Sequence, residues 1–141
     1  MATGNTQVVQ DLYEAFNKRG IDRAADTMIA TNLEWVSVPL GITFEGPEGY
    51  KQFVGSWAAA MPDSSVEVKS IVANGDSVAA EFTGRGTHTG TFSTPAGDIP
   101  PTGRQVELQF CELLQLKDGK VVRAHTYFDS ITMLRQLGVV A

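Results

Sequence analysis

The feature that most constrains this chain is a change of period at Pro62. Before it, apolar residues recur every three or four positions; after it, they alternate. From Thr6 to Lys18, Val8, Val9, Leu12, Tyr13, Ala15 and Phe16 lie at helical spacing, which predicts a helix with Thr6 as N-cap and Gly20 as its stop. Asp22 to Ile29 predicts a short second helix capped by Asp22, with Ala24, Ala25, Met28 and Ile29 inward. Leu33 to Val38 reads as a strand ended by Pro39. Pro47 suits the first turn of a third helix, Glu48 to Ala60.

Past Pro62, Val66 and Val68, then Val78, Ala80 and Phe82, then Val106, Leu108, Phe110, Leu114 and Leu116 alternate with polar neighbours, as strands with one covered face do. Asn74-Gly75-Asp76 and Lys117-Asp118-Gly119 mark hairpin turns. The Gly-, Thr-, Ser- and Pro-rich stretch from Gly84 to Gly103 predicts a strand end followed by a surface loop. Ser130 to Leu137 predicts a last short helix, with Ser130 as cap and Gly138 as stop. Helices followed by antiparallel strands indicate an α+β fold in one domain over residues 1–141: a curved antiparallel sheet wrapped around three N-terminal-half helices, plus a short C-terminal helix. Such a sheet curls into a cone whose open end is a natural small-molecule pocket.

Charge and motifs narrow the function. With 11 Lys plus Arg against 16 Asp plus Glu, the net charge of −5 speaks against nucleic acid as a partner. No apolar stretch approaches the roughly 18 residues of a membrane span. The N-terminus lacks the basic run and apolar block of a secretion signal, so a cytoplasmic protein with no membrane partner is expected. Walker, G-x-G-x-x-G, G-x-S-x-G and H-E-x-x-H patterns are absent. The two histidines, His88 and His125, lie far apart without helical pairing, so no metal is expected. Cys111, the only cysteine, permits no disulfide and reads as a buried thiol within a strand.

Asp129 follows the run His125-Thr126-Tyr127-Phe128 and precedes a helix. It reads either as that helix's N-cap or as a general acid or base; strand parity puts it with Tyr127 and His125, and a carboxylate among aromatics has a raised pKa. His88 lies in Gly84-Arg85-Gly86-Thr87-His88-Thr89-Gly90, where glycines permit close approach of a ligand or of another backbone. Taken alone it reads as a surface-loop histidine. Tyr13, Phe16, Trp35, Tyr50 and Trp57 read as core, and any of them could line a pocket for a flat aromatic ligand. Gln109 and Glu107 share the face opposite their strand's apolar stripe. A three-residue loop with a bulge at Lys117-Asp118-Gly119 would set Gln109 opposite Tyr127 and Glu107 opposite Asp129, whereas a two-residue turn would move them to the other face; the former is expected.

Gly86-Thr87-His88-Thr89-Gly90 with Phe92, Ile99-Pro100-Pro101-Thr102-Gly103-Arg104, Lys117-Asp118-Gly119-Lys120, and Asp129 with Met133-Leu134-Arg135-Gln136-Leu137-Gly138 together resemble the SnoaL-like polyketide cyclase family, in order and approximate spacing. With the first helix and Gly46-Pro47-Glu48-Gly49, the resemblance covers nearly the whole chain. It implies the nuclear transport factor 2-like fold, a flat polyketide-like ligand, no cofactor, and an intramolecular aldol closure in which Asp129 removes and returns a proton. It also implies that His88 hydrogen-bonds a substrate carbonyl and that Trp35 and Tyr127 are pocket walls. Ser93 to Asp98 is longer than the direct link expected in the family, which alters the pocket rim. Rival readings are ketosteroid-type isomerisation, epoxide hydrolysis with Arg123 and Glu112 as candidates, and a non-catalytic module binding a small apolar molecule. A homodimer is expected, because an open curved sheet leaves one face to be covered.

Overall fold

A computed structural model describes residues 2–140. Its elements run α1 (Ala2–Asn17), α2 (Ile21–Met28), β1 (Ile29–Ser37), β2 (Ile42–Glu45), α3 (Gly46–Ala60), β3 (Ser65–Asn74), β4 (Ser77–Thr87), β5 (Phe92–Thr94), β6 (Gly97–Ile99), β7 (Gln105–Lys117), β8 (Lys120–Phe128) and α4 (Ser130–Gln136). Six strands form one sheet in the order β2-β1-β8-β7-β4-β3, and β5-β6 form a separate hairpin. Helices and mixed sheet make the α+β fold that the period change predicts. The sheet is not wholly antiparallel, since β1 runs parallel to β8. The connection from β1 to β8, through β2, α3 and the strands β3 to β7, is the long crossover that a parallel pair needs.

The helix ends differ from expectation in instructive ways. Thr6 lies inside α1 rather than before it, and Asp22 is in the first turn of α2 rather than at its cap, which is Gly20. At the end of α1 the left-handed residue is Arg19 (φ 59°), not Gly20. The Gly20 N–H donates to Ala15 O and the Arg19 N–H to Phe16 O, a Schellman closure. The strain of a non-glycine residue there is offset by the Arg19 guanidinium, which donates to Phe16 O, Pro62 O and Ser64 O and so ties α1 to the turn after α3.

The Gly84 to Gly103 stretch is not simply a surface loop, because His88 and Phe92 are fully buried. The His88 N–H donates to Arg104 O and the Gly103 N–H to His88 O, zipping the two glycine-bearing segments together. Close approach here serves neighbouring chain. A Cβ on Gly90 would collide with Ala59 O, and one on Gly84 would reach Phe110 Cε1 at 2.8 Å.

The turn between β7 and β8 has two residues, Asp118 (φ 53°) and Gly119 (φ 75°), with Lys117 paired to Lys120. The expected three-residue loop is therefore absent, yet the faces stay as expected. An extra residue, Val122, bulges out of β8 where the register shifts between Gln115 and Leu116, and it restores the parity that the shorter turn would have lost. The pairing moves instead: Cys111, not Gln109, stands opposite Tyr127.

Candidate active site

Strand β7 alternates along its whole length, turning Val106, Leu108, Phe110, Glu112, Leu114 and Leu116 inward. Glu112 is the exception in chemistry, a carboxylate only 3% exposed. Burying an ionised carboxylate without partners costs several kcal/mol, so the site must hold it. Tyr13 from α1 donates its hydroxyl to Oε1 at 2.8 Å, and Thr126 from β8 donates to Oε2 at 2.6 Å. Trp35 of β1 in turn donates Nε1–H to Thr126 Oγ1 at 2.8 Å, which orients the threonine proton toward Glu112. The partners come from three elements; Thr126 faces Glu112 directly across the β7–β8 ladder.

Burial pushes the Glu112 carboxyl up to about 7, against which the two hydroxyl donors pull weakly downward. Tyr13 is pushed well above its ordinary value, first by burial and then by the Glu112 charge, so its hydroxyl remains a proton donor. These groups face an apolar cavity of about 80 Å³, walled by Phe53, Trp57, Phe82 and Phe110 and reaching Arg85 at the surface. Arg85 is held there by Glu107 at 2.6 Å and Glu67 at 3.0 Å. An apolar cavity of roughly 150 Å³ takes a benzene. At about half that volume, this one encloses less than a benzene ring, and a larger molecule must extend toward Arg85.

Of the residues singled out from sequence, Tyr13 and Trp35 line the cavity. His88 does not: Nδ1 accepts from the Thr102 N–H at 3.2 Å and contacts Thr102 Oγ1 at 2.9 Å, leaving the proton on Nε2. Burial lowers its pKa. Gln109 is exposed and accepts from Thr83 Oγ1 on the outer face of the sheet. His125 and Tyr127 stack on that same outer face, Tyr127 46% exposed, so Tyr127 is no cavity wall. Cys111 is exposed beside them rather than buried, because β7 alternation turns it outward.

Asp129 is exposed and caps α4, accepting from the Ile131 and Thr132 N–H groups at 3.0 and 3.1 Å and from Thr132 Oγ1 at 2.7 Å. Ser130 is thus the first helical residue, not the cap. The aromatic surroundings and raised pKa expected for Asp129 are corrected: the Thr132 hydroxyl and the helix amides hold its carboxyl below the ordinary value. Arg123, proposed beside Glu112 for hydrolysis, reaches Glu34 on the exposed surface instead. Among the described residues no three His, Cys, Asp or Glu side chains gather as metal ligands would.

Glu112 left a trace in the sequence. It fills the gap between Phe110 and Leu114 in an otherwise apolar inward stripe.

The family model for SnoaL-like polyketide cyclases matches residues 6–137. This chain belongs to the SnoaL-like polyketide cyclase family. IdmH of Streptomyces antibioticus, a proposed polyketide cyclase, shares 30% identity over 95% of this chain and 98% of its own, with a TM-score of 0.78. AclR of Streptomyces galilaeus, a proposed hydroxylase, superposes over 100% of both chains at 24% identity and a TM-score of 0.83. TerC, crystallised with polyporic acid, matches 96% of this chain and 98% of its own at 21% identity and a TM-score of 0.73. Neighbours at such identity speak for the fold, which includes a protein with the ketosteroid isomerase-like fold. The comparison with curated proteins found no match. No helix among the described residues of this SnoaL-like chain is long and apolar enough to cross a membrane.

Proposed function

We propose that this SnoaL-like protein is a cofactor-independent acid/base enzyme acting on a cyclic or poly-keto small molecule, with Glu112 as the proton-transfer group. The observation that carries the reading is a buried carboxylate, near neutral in its pKa, inside an apolar cavity. At neutral pH both its forms are populated, so it can take a proton from carbon and later return it. In an intramolecular aldol step, Glu112 removes a proton α to a carbonyl. The carbanion's electron pair forms the new C–C bond to a second carbonyl of the same molecule, and the resulting alkoxide takes the proton back. Reactants and products balance without a co-reactant.

The family resemblance gave this role to Asp129. Its carboxylate is engaged with α4 in water, which favours a capping role, so the proposal transfers the chemistry to Glu112. The test is exchange of the α-protons of cyclohexanone in deuterated water, followed by mass spectrometry. The wild-type protein is expected to accelerate exchange over buffer, Glu112→Gln to lose that by about a hundredfold or more, and Asp129→Asn to retain it. Full exchange by Glu112→Gln would overturn the proposal. The same variants then go to a panel of poly-keto substrates.

We also propose that a second copy covers the outer sheet face, where Leu113 and Tyr127 stand exposed. Sedimentation of Leu113→Lys, expected to be more monomeric than wild type, checks this. An exposed lone thiol fits a reducing, cytoplasmic setting.

A further inference from the structure

His88 is fully buried, and its ring nitrogens have unequal surroundings. Nδ1 accepts from the Thr102 N–H, so the neutral ring carries its proton on Nε2, and that N–H meets no acceptor among the described residues. The backbone around it is tied down. The His88 N–H donates to Arg104 O at 2.8 Å, the Gly103 N–H to His88 O at 2.8 Å, and the Gly90 N–H to Ala60 O at 3.0 Å. Between these ties runs the β5-β6 hairpin, which pairs with no strand of the main sheet. Its Phe92 is buried against Trp57, a cavity wall, with 5.0 Å between ring centroids.

We propose that the segment from His88 to Arg104 is an acid-released flap over the Trp57 wall of the cavity, with the neutral His88 ring as its latch. A second proton must go to Nδ1, where it sets an N–H against the Thr102 N–H, cancels that hydrogen bond and leaves a buried charge. The charged groups on the adjoining segments are already committed. Asp63, after α3, accepts from the Thr87 N–H at 2.7 Å and the Thr87 hydroxyl at 2.8 Å, and Arg85 of β4 is held by Glu67 and Glu107. The Arg104 guanidinium lies beside Gly138, and α3 ends in Ala59 and Ala60, followed by Met61, none of them charged. Burial accordingly holds the His88 pKa below its ordinary value. In the open flap the ring is in water and takes the proton freely. Opening is therefore favoured as pH falls through the ordinary value of 6.5, and the effect levels off below the lowered one. Glu112 acts in the opposite sense, since its protonation favours the folded chain, so the latch must be read locally and not from whole-chain unfolding.

Amide exchange of the isotope-labelled full chain, read by NMR at roughly pH 7.5 and 5.5 and corrected for the free-peptide rate at each, tests this. Protection of the Gly90 and Gly103 amides is expected to fall about tenfold at the lower pH, while that of Leu114 and Ala124 in the main sheet holds. His88→Asn, whose side-chain oxygen can accept from Thr102 and does not titrate, should show the same protection at both pH values. Glu112→Gln should respond like wild type. The proposal is overturned if wild-type protection is equal at the two pH values, if His88→Asn loses it as wild type does, if Glu112→Gln abolishes the response, or if the sheet amides fall together with the flap. Should His88→Asn fail to fold, the ring nitrogens of wild-type His88 decide. A ring that takes its second proton only as Gly90 and Gly103 lose protection supports the latch, whereas one that takes it while they stay protected overturns it.

Discussion

Glu112 and Asp129 lie within one β7–β8–α4 segment, and each carboxylate accepts a threonine hydroxyl, from Thr126 at 2.6 Å and Thr132 at 2.7 Å. Their acidities nevertheless move in opposite directions. Asp129 sits in water with two helix amides as additional donors, so its charged form is favoured. Glu112 has one further hydroxyl and no water-facing surface, so the loss of hydration outweighs two good hydrogen bonds. Donors at similar distances do not decide the outcome; desolvation does. One group is thereby suited to hold a helix and the other to move protons near neutrality.

The sharpest way to break this contrast is the pH dependence of stability. Below about pH 4.5 Glu112 is protonated in both folded and unfolded chains. As pH rises toward 7 the unfolded chain releases the proton first, so stability falls, by about 3 kcal/mol over that window, and levels off above it. Denaturant titrations of Glu112→Gln should lack this decline. Asp129 works the other way: its contribution is present above its ordinary value of 3.8 and is lost as pH falls through the lowered one. A decline of equal size in Glu112→Gln would show that the buried carboxyl is not its source.

A smaller effect probes the donors themselves. Tyr13→Phe or Thr126→Val removes a hydrogen bond that favours the charged carboxylate, so the acidic limb of the proton-exchange rate should move upward by roughly half to one pH unit. A downward move would contradict the assignment.

The smallest expected effects are at the wet carboxylate. Asp129→Ala should lower the melting temperature by roughly a few degrees, through loss of the α4 cap, and Asp129→Asn by less, because Asn caps nearly as well. Neither should alter the pH profile of exchange. Calorimetry and the exchange assay on the same preparations check both statements.

Much of the fold was legible because period reports burial. Alternation along β7 turned the right residues inward, and Pro47 marked the start of α3. Helix caps were less legible, since Thr6 and Asp22 look like caps locally while the chain places helix starts elsewhere. For the site, parity grouped Tyr127 and His125, which stack on one face, but parity does not say which face is wet. That depends on which side the helices cover. His88 resisted for a related reason: its glycine neighbours signal close approach, and the partner proved to be the Pro100-Pro101-Thr102-Gly103-Arg104 backbone and Ala59.

By itself the sequence determined the order of the helices and of the long strands, though not β2 or the β5-β6 hairpin, the inward stripe of β7 with its lone carboxylate, and the resemblance to a cyclase family. Those depend on local periodicity and on residue strings. Only the tertiary structure decided that Tyr13, Trp35 and Thr126 converge on Glu112 and that Asp129 faces water. Such facts arise from elements distant in sequence meeting across a sheet, where burial, which no single segment encodes, sets the cost of a charge.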